Sequence, residues 1–139
     1  MIVLDASVVL KWFLVEEDHD IALIFLDRHI NGNEQIAVPE LLYYELGNIL
    51  ALKTKLSEES VVENIHDLFE LKLHVFALNQ QEYIEAIRLS RLYKVSVYDA
   101  SYVVLANSLG VPFVTADERL ARKMKDMPFV QTLNHYYKE

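Results

Sequence analysis

Short unbroken apolar runs alternate along this chain with longer stretches of helical periodicity. Residues 2–4 (Ile-Val-Leu) are apolar without the every-other-residue pattern of a half-exposed strand, so they predict a strand buried on both faces. Ser7 then predicts the cap of a helix reaching about residue 14. Residues 17–30 carry apolar positions at helical spacing and end at the turn signal Asn31-Gly32-Asn33. A second strand is predicted over 35–38, and Pro39 fits the first turn of a helix running to about residue 55. Ser57 starts another helix, ending near residue 71, and 75–78 predicts a third strand. Asn79 with Glu82 has the form of a capping box for a helix to about residue 93. Residues 99–109 predict the next helix, with Gly110 as its C-terminal stop. A strand over 112–115, a short helix from about 118 and a last strand over 129–132 complete the series.

Continuous apolar strands separated by helices predict a mainly parallel central sheet covered on both sides, a three-layer α/β/α sandwich. With 139 residues, no low-complexity linker and three glycines and three prolines in all, the expectation is one domain over 1–139. Polar sites in such sandwiches lie beyond the carboxyl ends of the strands.

Composition narrows the chemistry. The chain has no cysteine, which removes disulfides, thiolate zinc sites and cysteine nucleophiles. Its N-terminus lacks a basic leader, and no apolar run approaches membrane-spanning length, so a cytoplasmic protein without membrane attachment is expected. The formal charge of -8 argues against broad adhesion to nucleic acid but leaves it open as a substrate. Basic residues gather at Arg88, Arg91 and Lys94 and again at Arg119, Arg122, Lys123 and Lys125, two runs placed to border a cleft.

Against this background four acids stand out, because each lies within or at the end of an apolar stretch. Asp5 follows the first strand, Asp117 follows the strand over 112–115, Asp99 opens an apolar helix, and Glu45 sits among Leu41, Leu42, Leu46 and Ile49. Helix capping accounts for Asp5, Asp99 or Asp117 taken singly. Glu45 lies within a helix, where its neighbours Leu41, Ile49 and Leu52 form an apolar stripe and Glu40 falls on the other face. For it the alternative is a buried ion pair with arginine or lysine. Gly47, two positions on, suggests a close backbone approach. One divalent cation shared by all four acids replaces three caps and an ion pair with a single cause. Hard oxygen donors suit Mg2+ or Mn2+ better than Zn2+.

The remaining candidates carry less. His19, His29, His66, His74 and His135 have no ligand-like spacing and read as surface or packing residues. Tyr43 reads as core and Tyr44 as partner-facing surface, with stacking on a base left open. Trp12 and Phe13 read as core and rim, and no glycine-rich phosphate loop is present.

Four segments taken together carry a resemblance: Val3-Leu4-Asp5-Ala6-Ser7, Val38-Pro39-Glu40-Leu41-Leu42-Tyr43-Tyr44-Glu45, Tyr98-Asp99-Ala100-Ser101-Tyr102 and Thr115-Ala116-Asp117-Glu118-Arg119-Leu120. In order and spacing they resemble a PIN-domain ribonuclease, nearest to the VapC toxins of prokaryotic toxin-antitoxin pairs. The resemblance implies a metal-dependent endoribonuclease with Asp5, Glu45, Asp99 and Asp117 as its acidic quartet. Asp5 and Asp99 would be the principal metal ligands, and Ser7 and Thr115 would support the acids through their hydroxyls. It also implies an RNA substrate, a cognate antitoxin covering a hydrophobic groove with Trp12, Phe13 and Tyr44 among candidate contacts, and a homodimer. Residues 57–78 match no motif.

Two other readings use the same acids. A phospho-acceptor receiver module also places acids around Mg2+ at strand ends, but it expects an adjacent acidic pair after the first strand and a late lysine. Neither is present in Ile2-Val3-Leu4-Asp5-Ala6 or Thr115-Ala116-Asp117. An inactive metal-binding RNA or protein adaptor would keep the same ligands.

Overall fold

The computed structural model describes residues 1–138. Five short strands, β1 (Ile2–Leu4), β2 (Ile36–Pro39), β3 (His74–Phe76), β4 (Phe113–Thr115) and β5 (Val130–Thr132), form one sheet in the order β3-β2-β1-β4-β5. Every neighbouring pair is parallel, with Val3 opposite both Ala37 and Phe113 in the central register. Ile2, Val3 and Leu4 are all fully buried. Successive strand residues point to opposite faces, so helices must cover both, which makes the three-layer sandwich expected of the continuous apolar runs. This strand order differs from the 2-1-3-4-5 order of receiver-type sheets.

Among the described residues eight α-helices connect and flank the strands: α1 (Ala6–Val9), α2 (His19–Ile30), α3 (Leu41–Leu52), α4 (Glu58–Glu70), α5 (Gln80–Tyr93), α6 (Val97–Leu109), α7 (Glu118–Lys123) and α8 (Leu133–Lys138). Central α6 is buried continuously from Ala100 to Ala106 and packs on β1, β2 and β4, with α5 against its flank. Gly110 ends it in the left-handed conformation at φ 68°, the stop that its place in the sequence predicts. The Asn79–Glu82 capping box at the start of α5 is also present, with both reciprocal hydrogen bonds formed.

Several local expectations are corrected. The first helix is one α turn followed by a 3-10 turn, Leu10–Trp12, and its cap is Asp5, with Ser7 inside the helix. Pro39 closes β2 and α3 begins only at Leu41. Ser96 caps α6, so Asp99 lies in its first turn. The third strand is shifted toward the N-terminus, over His74–Phe76, and α8 was not anticipated. Gly47 has no close neighbour, since a Cβ there would meet nothing within 4 Å.

Candidate active site

In an open parallel sheet, the crevice lies where the chain's progression across the sheet reverses. Here that point falls between β1 and β4, the strands that lead into Asp5 and Asp117. Both aspartates are N-caps: Asp5 Oδ1 accepts from the backbone N-H groups of Ser7 and Val8, and Asp117 Oδ1 from that of Leu120. Capping and a functional role are compatible, because a carboxylate has about four lone-pair sites and a cap uses only some of them.

Asp5 is buried and held by two further donors. Ser7 Oγ donates to Oδ1 and Thr115 Oγ1 to Oδ2, each at 2.5 Å. These hydroxyls also accept from the next turn: Ala116 N-H donates to Ser7 Oγ at 2.9 Å and Asp117 N-H to Thr115 Oγ1 at 3.0 Å. The β1–α1 and β4–α7 turns are therefore tied through one carboxylate, which fixes Asp5 and Asp117 relative to each other.

Glu45 comes in from α3, half-buried, and Tyr102 on α6 donates to its Oε1 at 2.6 Å. The alternative reading, an ion pair with arginine or lysine, is not met among the described residues, and the partner is this phenol. The inward face of α3 is Leu42, Leu46 and Leu50, while Leu52 is 77% exposed, so Glu45 lies beside the apolar stripe. Asp99, half-buried in the first turn of α6, is one helical turn before Tyr102.

All four acids line one cleft of about 340 Å³, together with Ser7, Lys11, Glu16 and Tyr102. Burial pushes the Asp5 carboxyl up to about 7; the Asp99 charge adds to this, and the Ser7 and Thr115 hydrogen bonds oppose it. Glu45 is raised by burial and by Asp99 against the Tyr102 hydrogen bond. Asp99 itself is raised by burial and by Asp117, with Ser96 and Lys123 pulling the other way. Asp99 is thus the electrostatic hub, the acid whose charge interacts with each of the other three. Tyr102 is raised by burial and by the Glu45 charge, and remains a neutral donor.

This donor set fits a hard divalent ion. Its oxygens are ionisable carboxylates whose burial and mutual repulsion favour the proton, and a dication reverses that preference. Among the described residues no group of three or more acids or histidines is placed to hold a metal ion by itself. Mg2+ does not need one, because it keeps several waters and binds through one or two carboxylates plus substrate phosphate. The acids adjoin a second cleft, lined by Lys94, Ser96, Asp99, Asp117, Arg119 and Lys123. One member of the first basic run and two of the second therefore border the site, whereas Arg88, Arg91, Arg122 and Lys125 do not line it. His19 and His29 bond backbone carbonyls of Lys11 and Leu71, and Trp12 is buried with its Nε1-H on Ala22 O, which removes it as a partner contact.

The sequence reading missed Lys11, Glu16 and Tyr102. Lys11 had a usable signal, a charge set between Leu10 and Trp12 in an apolar run, which is the criterion that singled out the acids. Tyr102→Phe tests the pairing with Glu45. Loss of a hydrogen bond to a charged group should cost roughly 1.5–3 kcal/mol at neutral pH. Carboxyl NMR should show the Glu45 midpoint rising further, because burial and Asp99 then act unopposed; an unmoved midpoint would refute the pairing.

An all-parallel sandwich with acids gathered at its switch point defines an α/β domain with its site in the crevice at the strands' carboxyl ends. The PIN domain model matches residues 2–125, and the chain belongs to that family. It is 30% identical over 129 residues to Ribonuclease VapC3 of Pyrobaculum aerophilum, covering 88% of this chain and 93% of the relative. Exonuclease VapC9 of the same organism is 30% identical over 107 residues, 77% of this chain and 80% of the relative. A toxin-antitoxin complex from Klebsiella pneumoniae shares the fold with a TM-score of 0.70 at 14% identity, covering 96% of this chain and 98% of that one.

Proposed function

We propose that this chain is a Mg2+- or Mn2+-dependent endoribonuclease, the toxin of a toxin-antitoxin pair, acting in the cytoplasm. The observation that carries the reading is the single cleft lined by Asp5, Glu45, Asp99 and Asp117, brought together from four separate segments. The two relatives bear nuclease names, one a ribonuclease and one an exonuclease.

Asp5 and Asp99 would be the principal ligands of the ion, with Glu45 and Asp117 orienting its waters or holding a second ion. A bound divalent ion supplies a lowered pKa for water and an offset to charge building on the scissile phosphate. The protein's own part is positional. Ser7 and Thr115 hold Asp5 in one orientation, Tyr102 holds Glu45, and Arg119, Lys94 and Lys123 offer cations to the flanking phosphates. Among the described residues no histidine lines the cleft.

The proposed partner is an antitoxin seated on the groove of about 550 Å³ lined by Tyr43, Tyr44, Phe69, Leu73 and Val75. Phe69, Val75 and Tyr44 present exposed apolar surface there, which fits a protein ligand. A homodimer is proposed on the family resemblance alone. No described helix is long and apolar enough to cross a membrane.

Chelation is the direct test. Single-stranded RNA incubated with Mn2+ should be cut internally, and EDTA in excess should abolish cutting, with restoration on adding Mg2+ or Mn2+. Cleavage that persists under chelation would overturn the reading.

A further inference from the structure

Among the described residues, Lys11 is the one cationic side chain lining the cleft of the four acids. It lies in the 3-10 turn Leu10–Trp12, only 9% exposed, and its Nζ stands 3.2 Å from Glu16 Oε1. His19 Nδ1 bonds the Lys11 carbonyl oxygen, which pins the turn that carries it. Lysine is almost never buried to this degree unless it is paired, and ordering its long side chain costs entropy. The pair with Glu16 offsets that cost only in part, because the carboxylate end of the pair is exposed to water. A methionine or leucine would pack the stem as well without desolvating a charge. The position of Lys11 is therefore explained less by stability than by what its ammonium faces.

What it faces is a cleft that repels the proposed substrate. Asp5, Glu16, Glu45, Asp99 and Asp117 all line it, and an RNA phosphodiester entering there meets their negative charge. We infer that Lys11 Nζ is a phosphate-binding group that positions the scissile phosphodiester over the acids, with Glu16 aiming the ammonium. This rests on the nuclease reading. The ammonium has three donors, so one can remain on Glu16 while the others reach a non-bridging phosphate oxygen. It neither gives nor takes a proton. Its part is to hold a positive charge where the phosphorane-like transition state gathers negative charge, beside whatever charge the divalent ion supplies.

The test compares Lys11→Met and Lys11→Arg with the wild type in three readouts: single-turnover RNA cleavage at saturating Mn2+, the Mn2+ midpoint of thermal stabilisation, and anisotropy of a labelled single-stranded oligonucleotide in Ca2+. Lys11→Met should cleave about 10²-fold more slowly, the usual effect of removing one preorganised donor. Its Mn2+ midpoint should move to lower concentration, because a positive neighbour of the ion is gone, and Lys11→Arg should retain most of the activity. Tighter metal with slower cleavage is a signature that loss of packing would not produce. Wild-type cleavage by Lys11→Met would overturn the inference, as would activity lost in step with weaker Mn2+ binding. If the wild type binds the oligonucleotide through Lys11 but does not cut it, the nuclease reading fails and the phosphate site stands. If it neither binds nor cuts, both fall.

Discussion

Asp99→Asn should lower RNA cleavage at saturating Mn2+ by roughly 10³-fold, and Asp5→Asn by a similar factor, the scale on which electrostatic contributions to a transition state are lost. The two losses should differ in their side effects. Asp99 raises both Asp5 and Glu45 through its charge, so Asp99→Asn should let both carboxyl midpoints fall toward ordinary values. Asp5→Asn should leave Glu45 almost unmoved, because Asp5 does not figure among the causes of the Glu45 shift. Asp67→Asn, on the exposed face of α4, serves as the control and should cleave normally. Kinetics on RNA combined with carboxyl NMR measures both effects. Full activity in Asp99→Asn would remove the hub from the mechanism, whatever the metal does.

What could be read from the chain beforehand follows the range over which its signals act. Strands two and four were legible because a run of buried apolar residues needs no knowledge of its neighbours. Asp5 and Asp117 were legible as acids at strand ends, and the parallel sheet that aligns those ends follows from the same runs. The partner of Glu45 was not, because Tyr102 is 57 residues away and a phenol can satisfy a carboxylate as an arginine would. Which side of α3 turns inward was also misjudged. Its apolar residues nearly encircle the helix, so periodicity alone cannot choose between Leu42-Leu46-Leu50 and Leu41-Ile49-Leu52. Lys11 carried a local signal, a charge between Leu10 and Trp12, but its place among the acids depends on the fold that brings the four segments to one cleft.

The metal-free protein should become less stable as pH rises from about 4 to 7, and Asp5 should be the main cause. Its carboxyl titrates near 3.8 when unfolded and at about 7 in the fold, so between those values the native state binds the extra proton. Stability then falls with pH across that window and is flat above it, by on the order of 4 kcal/mol in all. Glu45 and Asp99 are shifted in the same direction and add to the slope. Asp5→Asn removes the buried charge but keeps a carbonyl to accept from Ser7 and Val8. Its amide would face Thr115 Oγ1, whose own proton can turn to Ser7 Oγ, 3.3 Å away. The variant should therefore unfold at a temperature higher by up to on the order of 10 °C at pH 7.5 in EDTA, with little difference at pH 4. Mn2+ should stabilise the wild type strongly and the variant weakly, because ion binding offsets the charge that the substitution deletes. Calorimetry of both proteins at pH 4, 5.5 and 7.5, with and without Mn2+, measures all of this. A variant that is less stable than the wild type at pH 7.5 without metal would mean that the Ser7 and Thr115 hydroxyls already compensate the buried carboxylate in full.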